Sequence, residues 1–229
     1  MSKDFTDRAL AKKILACLMS WEGYGPISTV MTHFPNFDIY LAGGSVRNTI
    51  LGHEQVQDFD FFLAGSECDR ALTQLAEHGG VKVGPLGSPR WTPPSGSAVP
   101  CDLVPIQRVN HGLGNCRDII DVLNQFDFTG NAIAIDLRSQ MFFDPMGGKR
   151  DLERRIMRAT RFDFPDTPIL PNSPVTWRAT RWFRILHYAA TLNLIIEPIT
   201  LRWLKDNSQY REDREAFAEI FFEPCLDLA

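Results

Sequence analysis

The stretch FDIYLAGGSVRNTILG, residues 37–52, followed by QDFDFFLAG, residues 57–65, decides how the rest of the chain is read. The apolar run over 37–42 has strand character and stops at Gly43-Gly44, and SVRNTILG then continues as a helix. A strand therefore feeds a helix N-terminus through a glycine turn. Such a turn leaves backbone N–H groups and the positive end of the helix dipole where a phosphate can sit, which points to Gly43, Gly44 and Ser45. In the second run, alternation places Asp58 and Asp60 on one face of a strand. Carboxylates that close repel one another unless a cation lies between them. A hard divalent ion, Mg²⁺ or Mn²⁺ in its place, takes oxygen ligands and keeps water positions for a phosphate-bearing substrate. Asp102, in the apolar strand CDLV, joins the same cluster if its strand is a sheet neighbour. An isolated Asp-x-Asp is most often a surface or turn feature. The glycine turn just upstream is what directs this one towards phosphoryl transfer.

Outward from that centre, an amphipathic helix is predicted over residues 5–20 and another over 69–78. VKVGPL and AVPCDLVPIQ supply strands, and the Pro/Gly/Ser-rich segment 84–100 reads as a loop. NAIAID (131–136) and QMFFDP (140–145) read as a hairpin. From Gly147 onward the periodicity is helical: DLERRIMRA, then 175–192, 199–206 and 211–222. The layout is a mixed α/β unit, 1–145, followed by a small all-helical unit, 146–229.

The 229 residues are 44% hydrophobic and 23% charged, which excludes a disordered tail, a collagen or a coiled coil. No apolar run reaches the ~20 residues of a membrane helix, and MSKDFTDRALAKK lacks a signal-peptide layout, so an intracellular, cytoplasmic protein with no membrane contact is expected. Five scattered cysteines without a Cys-x-x-Cys pair predict reduced structural thiols. The five histidines show no ligand spacing and read as structural. The net charge of −4 argues against non-specific nucleic-acid coating, but residues 136–184 carry 10 basic and 6 acidic side chains, a basic segment between two acidic ones. Arg150, Arg154, Arg155, Arg158 and Arg161, with Arg178, Arg181 and Arg184, are expected to form an electropositive surface facing RNA or nucleotide.

LAGGSVRNTILG followed by DFDFF resembles the head domain of class II tRNA nucleotidyltransferases and bacterial poly(A) polymerases, within the polymerase-β nucleotidyltransferase superfamily. FDFTGNAIAIDL (126–137), FFDPMGGKRDLERRIMRA (142–159) and ATRWFRILHYAATLNLIIEP (179–198) are similar to further blocks of that family, in order. The resemblance implies an α+β head with a mixed sheet flanked by helices, followed by a helical neck. It implies that Asp58 and Asp60 hold catalytic metals and that Gly43, Gly44 and Ser45 bind the triphosphate of an NTP. Arg47 assists with phosphates or braces the acidic pair, Asp127 falls at the sugar-contacting aspartate, and Asn131 joins the nucleotide site. Asp102 matches the superfamily's third carboxylate, or is a solvated strand residue.

The departures are specific. Asn48 replaces an aspartate, Gln125-Phe126 replaces an arginine pair, and the base-reading Glu-Asp-x-x-Arg block appears as residues 172–176 without its acid or arginine. Arg178 and Arg181 compensate after a one-residue shift; without such compensation, Asn172, Ser173 and Thr176 predict relaxed selection among NTPs. The resemblance also implies a short form lacking the body and tail that grip tRNA, so a separate subunit or a homo-oligomer is an expected partner. The reading is a nucleotidyltransferase that moves NMP from an NTP to an RNA 3′ end, tRNA-like or other, releasing pyrophosphate. Two alternatives stand beside it: nucleotidylation of a protein or small molecule, and a catalytically weak RNA- or partner-binding module that keeps the fold.

Overall fold

The computed structural model describes residues 3–53, 58–84, 87–94 and 99–226. Seven strands form one mixed sheet: β1 (Asp38–Ala42), β2 (Phe59–Ala64), β3 (Gly80–Val83), β4 (Pro89–Thr92), β5 (Cys101–Pro105), β6 (Ala134–Asp136) and β7 (Phe142–Phe143). Their spatial order is β3-β4-β5-β2-β1-β6-β7. Only β2 and β5 run parallel within it, because α4 (Cys68–Glu77) and the β3–β4 hairpin cross between them.

The sheet has two chemically different faces, set by the period of two. Ile39, Leu41, Phe59, Phe61, Leu63, Cys101 and Leu103 point into the larger core. Helices α1 (Lys3–Met19), α2 (Tyr24–His33), α3 (Gly44–Leu51) and α4 contribute to that core through Ile14, Leu18, Ile27, Val30, Val46 and Leu75. The alternate residues Ala42, Phe62 and Val104 point to the opposite face, against α5 (Ile119–Leu123) and the segment leading to it. Asp60 and Asp102 have that second parity, so a one-residue slip in β2 would drive Asp60 into the apolar layer.

Beyond the sheet, α6 (Gly148–Glu153), α7 (Trp177–Thr191), α8 (Pro198–Asp206) and α9 (Arg214–Ile220) complete the chain. The larger core runs without a break from α1 to Phe183 of α7 and Phe217 of α9. Thr176 caps α7 by accepting from the Ala179 N–H at 3.0 Å. Lys149 of α6 pairs with Asp7 of α1 at 2.6 Å.

Several expectations are met and several corrected. The helices over 5–20 and 69–78, the central strands and the 131–145 hairpin are present. Parts of the predicted strands at 57, 85–86 and 98 lie outside the described residues. The segment read as a loop over 84–100 contains β4. Its Pro89 occupies the first strand position, where no ladder N–H is needed, and Trp91 is fully buried with its indole N–H donating to the Leu75 carbonyl at 2.9 Å. Helix α2 was hidden by Gly25-Pro26, but Pro26 falls in the first turn, where a missing N–H costs nothing.

The region after Gly147 is not uniformly helical. Ile156–Met157 (β8) and Ile195–Ile196 (β9) form a two-stranded parallel pair. Arg155 (φ 57°) and Asn193 (φ 53°), both in left-handed conformation, turn the chain before each strand. Residues 208–213 form a 3₁₀ turn where a continuous helix over 211–222 was expected. All five cysteines are free. Among the described residues, no helix is long and apolar enough to cross a membrane.

Candidate functional site

A cleft of about 390 Å³ opens on the second face of the sheet. Its floor carries Asp60 and Asp102, which sit opposite one another in the parallel β2–β5 register. Asp58, just before β2, is close enough to act on both electrostatically. Burial, reinforced by Asp58 and Asp102, pushes the Asp60 carboxyl up to about 7. Burial also raises Asp102, and its Oδ1 is buried without a hydrogen-bond partner. Such a cluster has an electrostatic demand for positive charge.

One cation already answers part of it. Arg90 lies opposite Asp102 in the β4–β5 register, with its guanidinium 3.8 Å from Asp102 and 3.7 Å from Asp58. Both distances are too long for hydrogen bonds, so the contact is a loose ion pair. Sequence reasoning missed Arg90 because it lies within the Pro/Gly/Ser-rich segment; the alternation of Pro89-Arg90-Trp91-Thr92 was the available signal. Among the described residues, no three His, Cys, Asp or Glu side chains are already gathered as a metal-binding group.

The glycine turn abuts this floor. Gly43 has φ +74°, and a Cβ added there would lie 2.8 Å from Asp60 Oδ2. Only glycine supplies both the conformation and the close approach. Gly44 opens α3, and Ser45 is buried with its hydroxyl turned towards the Ala42 carbonyl at 3.4 Å. Arg47 is buried behind the turn. It donates to Asn131 Oδ1 at 2.6 Å and to Asn48 Oδ1 at 2.9 and 3.1 Å, and it lies 4.7 Å from the Tyr188 ring centroid. Asn131 in turn donates to Asp127 at 2.9 Å, and Arg184 of α7 donates to the other Asp127 oxygen at 2.7 Å. Burial alone would raise Asp127, but Arg184 and Arg181 outweigh it and hold the carboxyl below its ordinary range. Arg47 therefore braces Asp127 through Asn131, and its positive charge also favours the ionised form of Asp60.

The arginines expected to form one electropositive surface divide into three sets: paired, exposed and cleft-lining. Arg158 is committed to Asp151 and Arg161 to Asp163. Arg178 donates to the Phe164 carbonyl at 2.9 Å and does not line the cleft. Arg150, Arg154 and Arg155 are exposed. Arg181 and Arg184 turn inward to line the cleft, with Arg181 stacked 4.4 Å from the Phe164 centroid. Ser173 and Thr176, which the sequence resemblance aligned with a base reader, are occupied in the turn before α7: Ser173 accepts from the Val175 N–H, and Thr176 is the cap and donates to Asp166.

The departure at Gln125-Phe126 also has a local purpose. Gln125 accepts from the His111 backbone N–H at 2.9 Å and donates to the Gly114 carbonyl at 2.8 Å, pinning the loop that follows β5. Phe126 packs edge-on against Phe62 beneath the cleft. His111, on that loop, lines the cleft beside Trp177; a lone histidine in a glycine-rich loop carries no sequence signal of such a position.

With this geometry in view, the relatives are informative. Over 177 residues, 73% of this chain, it is 30% identical to the "Multifunctional CCA protein" of Xanthomonas oryzae pv. oryzae. Over 163 residues, 70% of the chain, it is 31% identical to the "A-adding tRNA nucleotidyltransferase" of Deinococcus radiodurans. The chain is a homologue of the tRNA nucleotidyltransferases. The match covers 39% of the first relative's length and 32% of the second's. Among solved structures, an apo CCA-adding enzyme superposes with a TM-score of 0.62 at 23% identity, covering 86% of this chain and 46% of that one. A tRNA nucleotidyltransferase solved with a primer tRNA and an ATP analogue gives 0.60 at 23%, covering 82% and 51%. The mixed α+β fold of this homologue is that of their head domains. No protein-family model matches the chain.

Proposed function

We propose that this chain transfers a nucleoside monophosphate from an NTP to an RNA 3′ end and releases pyrophosphate. The observation that carries the reading is the pairing of Asp60 and Asp102 on adjacent strands, beside Asp58, with the glycine turn pressed against Asp60. Residues 1–145 would act as the head, supplying this floor, and residues 146–229 as a neck-like unit whose α7 supplies Arg181 and Arg184.

The donor set fits a hard divalent cation. The orphaned Asp102 oxygen and the strained ionisation of Asp60 both leave carboxylate charge to be neutralised, and all three side chains offer oxygen. Asp58, Asp60 and Asp102 would hold Mg²⁺, or Mn²⁺ in its place, which when bound supplies charge stabilisation at the phosphate oxygens. The remaining work falls to the chain. The α3 N-terminus at Gly43, Gly44 and Ser45 offers backbone N–H groups to the triphosphate, with Gly43 allowing it to approach the carboxylates. Arg184 and Arg181 face the cleft as cations, while Asp127, fixed by Arg184 and Asn131, presents a rigid carboxylate at its wall. Bond formation between the acceptor hydroxyl oxygen and the α-phosphorus accompanies loss of pyrophosphate, so positioning and charge dominate catalysis.

The test incubates the purified chain with each α-labelled NTP, Mg²⁺ and total RNA. Label at RNA 3′ ends supports the proposal. Label on protein or on a small molecule and none on RNA overturns the RNA acceptor, and no turnover of any of the four NTPs overturns nucleotide transfer itself.

A further inference from the structure

The Nδ1 atom of His111 has two close neighbours of opposite demand. The Gln125 carbonyl oxygen lies at 2.9 Å and would accept a proton from it, whereas the Arg181 guanidinium lies at 2.7 Å and can only donate to it. Both cannot be satisfied by one imidazole. A protonated Nδ1 would set two N–H groups against each other at 2.7 Å, while a bare Nδ1 accepts from Arg181, which also donates to the Gln125 carbonyl at 3.0 Å, so that only the Nε2–H is left to pair elsewhere. The ring is neutral at physiological pH, since burial and the adjacent Arg181 hold it at about 3. Its single proton therefore resides on Nε2, which no hydrogen bond occupies among the described residues.

A second donor is available on the same wall. Arg181 is only 5% exposed, and its Nε is buried with no partner. Trp177 lies 4.9 Å from the His111 ring and 5.5 Å from the Arg181 guanidinium, an aromatic surface beside both donors. Resting on the nucleotide-transfer reading above, we propose that His111, locked as its Nε2–H tautomer by Arg181, is a specificity-determining residue that donates with Arg181 Nε to the incoming base. Gln125 is the positioning residue that holds the His111 loop in place.

A wall of donors selects by chemistry. Guanine offers neighbouring acceptors at O6 and N7, and cytosine at N3 and O2; adenine sets an amino donor beside N1 and N7, and uracil separates its carbonyls by an N–H donor. CTP and GTP should thus be favoured over ATP and UTP. The relaxed selection expected from Asn172, Ser173 and Thr176 gives way to a reader built from the β5–α5 loop and α7.

The experiment measures equilibrium binding of the four NTPs, with Mg²⁺ and no RNA, to the wild type, His111→Phe and His111→Gln. Inorganic triphosphate serves as the control for an intact phosphate site. The wild type should bind CTP or GTP at least about tenfold more tightly than ATP, since a donor left unpaired at a buried site costs that much or more. Phenylalanine keeps the ring but no donor and should bring the ratio close to one with triphosphate binding retained. Glutamine can place an N–H near the Nε2 position and should restore part of the preference. ¹⁵N shifts of the wild-type His111 ring, which need no variant, should report an unprotonated Nδ1. An unchanged ratio in His111→Phe, equal binding of all four NTPs by the wild type, or a protonated Nδ1 overturns the inference alone. Failure of the wild type to bind any NTP overturns the nucleotide-transfer reading and the inference with it.

Discussion

Gly43 and Gly44 are adjacent in sequence but carry different constraints. Gly43 holds φ +74° and leaves a Cβ only 2.8 Å from Asp60 Oδ2, whereas a Cβ on Gly44 meets nothing closer than Arg47 Nη2 at 3.6 Å. Gly43→Ala should therefore cost at least ~1–2 kcal/mol from backbone conformation alone and shift the Asp60 carboxylate. Gly44→Ala should stay within ~0.5 kcal/mol of wild type. Chemical denaturation of both variants checks the difference. The sequence marks this pair as a turn, but which glycine is indispensable depends on where β2 places Asp60. The same limit applies to Arg47: its motif position is legible, its partner Asn131, 84 residues away, is not.

Among the elements, α7 matters most, because it brings Arg181 and Arg184 to a sheet built by the first half of the chain. Arg184 is the charged partner of Asp127, a carboxylate 3% exposed. Arg184→Met should destabilise the protein by roughly 3–5 kcal/mol, because it leaves a buried charge uncompensated. Thermal and urea melts at neutral pH measure it. The loop carrying His111 makes a pH-dependent contribution. Its folded value of about 3 lies below the unfolded value near 6.5, so the unfolded chain takes up a proton the folded one refuses. Stability from this group is full above about pH 6.5 and falls as the pH drops towards 3, by up to ~1.4 kcal/mol per pH unit. His111→Phe should flatten that acid limb in urea titrations across the range.

Elements were legible in the sequence where one signal ruled: β1, β2, α4 and α7 have clear apolar periodicity. They were hidden where a local rule was overridden. Trp91 makes a strand of a proline- and glycine-rich segment by burying its indole, and the two-residue strands β8 and β9 are too short to show a period. The acidic pair and the glycine turn were readable because both are local. The cleft's other wall was not, because Gln125, His111 and Arg181 meet only after β5, the loop and α7 have folded together.

At the scale of the whole molecule, the proposed head and neck are joined by one apolar core containing Phe128, Leu152 and Phe183. Polar contacts also cross between them: Thr129 donates to Asp151 at 2.7 Å, and Asp127 pairs with Arg184. A fragment of residues 1–145 should therefore fail to fold cooperatively, while the full chain melts in one transition; circular dichroism and calorimetry on both decide it. Arg181 and Arg184, drawn from the basic segment 136–184, are spent inside the cleft, whose floor is acidic. That pairing of cations on one wall with carboxylates on the floor is the global reason to expect a metal-bound triphosphate between them. The most direct measurement follows transfer of an α-labelled nucleotide to RNA 3′ ends together with the pyrophosphate released, comparing wild type with Asp60→Asn. The account predicts one pyrophosphate for each nucleotide added by the wild type. In the variant it predicts a rate lower by roughly a thousandfold, the loss of several kcal/mol of charge stabilisation, with a melting temperature no lower because like-charge repulsion is relieved. Equal rates in the two proteins, or a wild type that labels no RNA with any NTP, would contradict it.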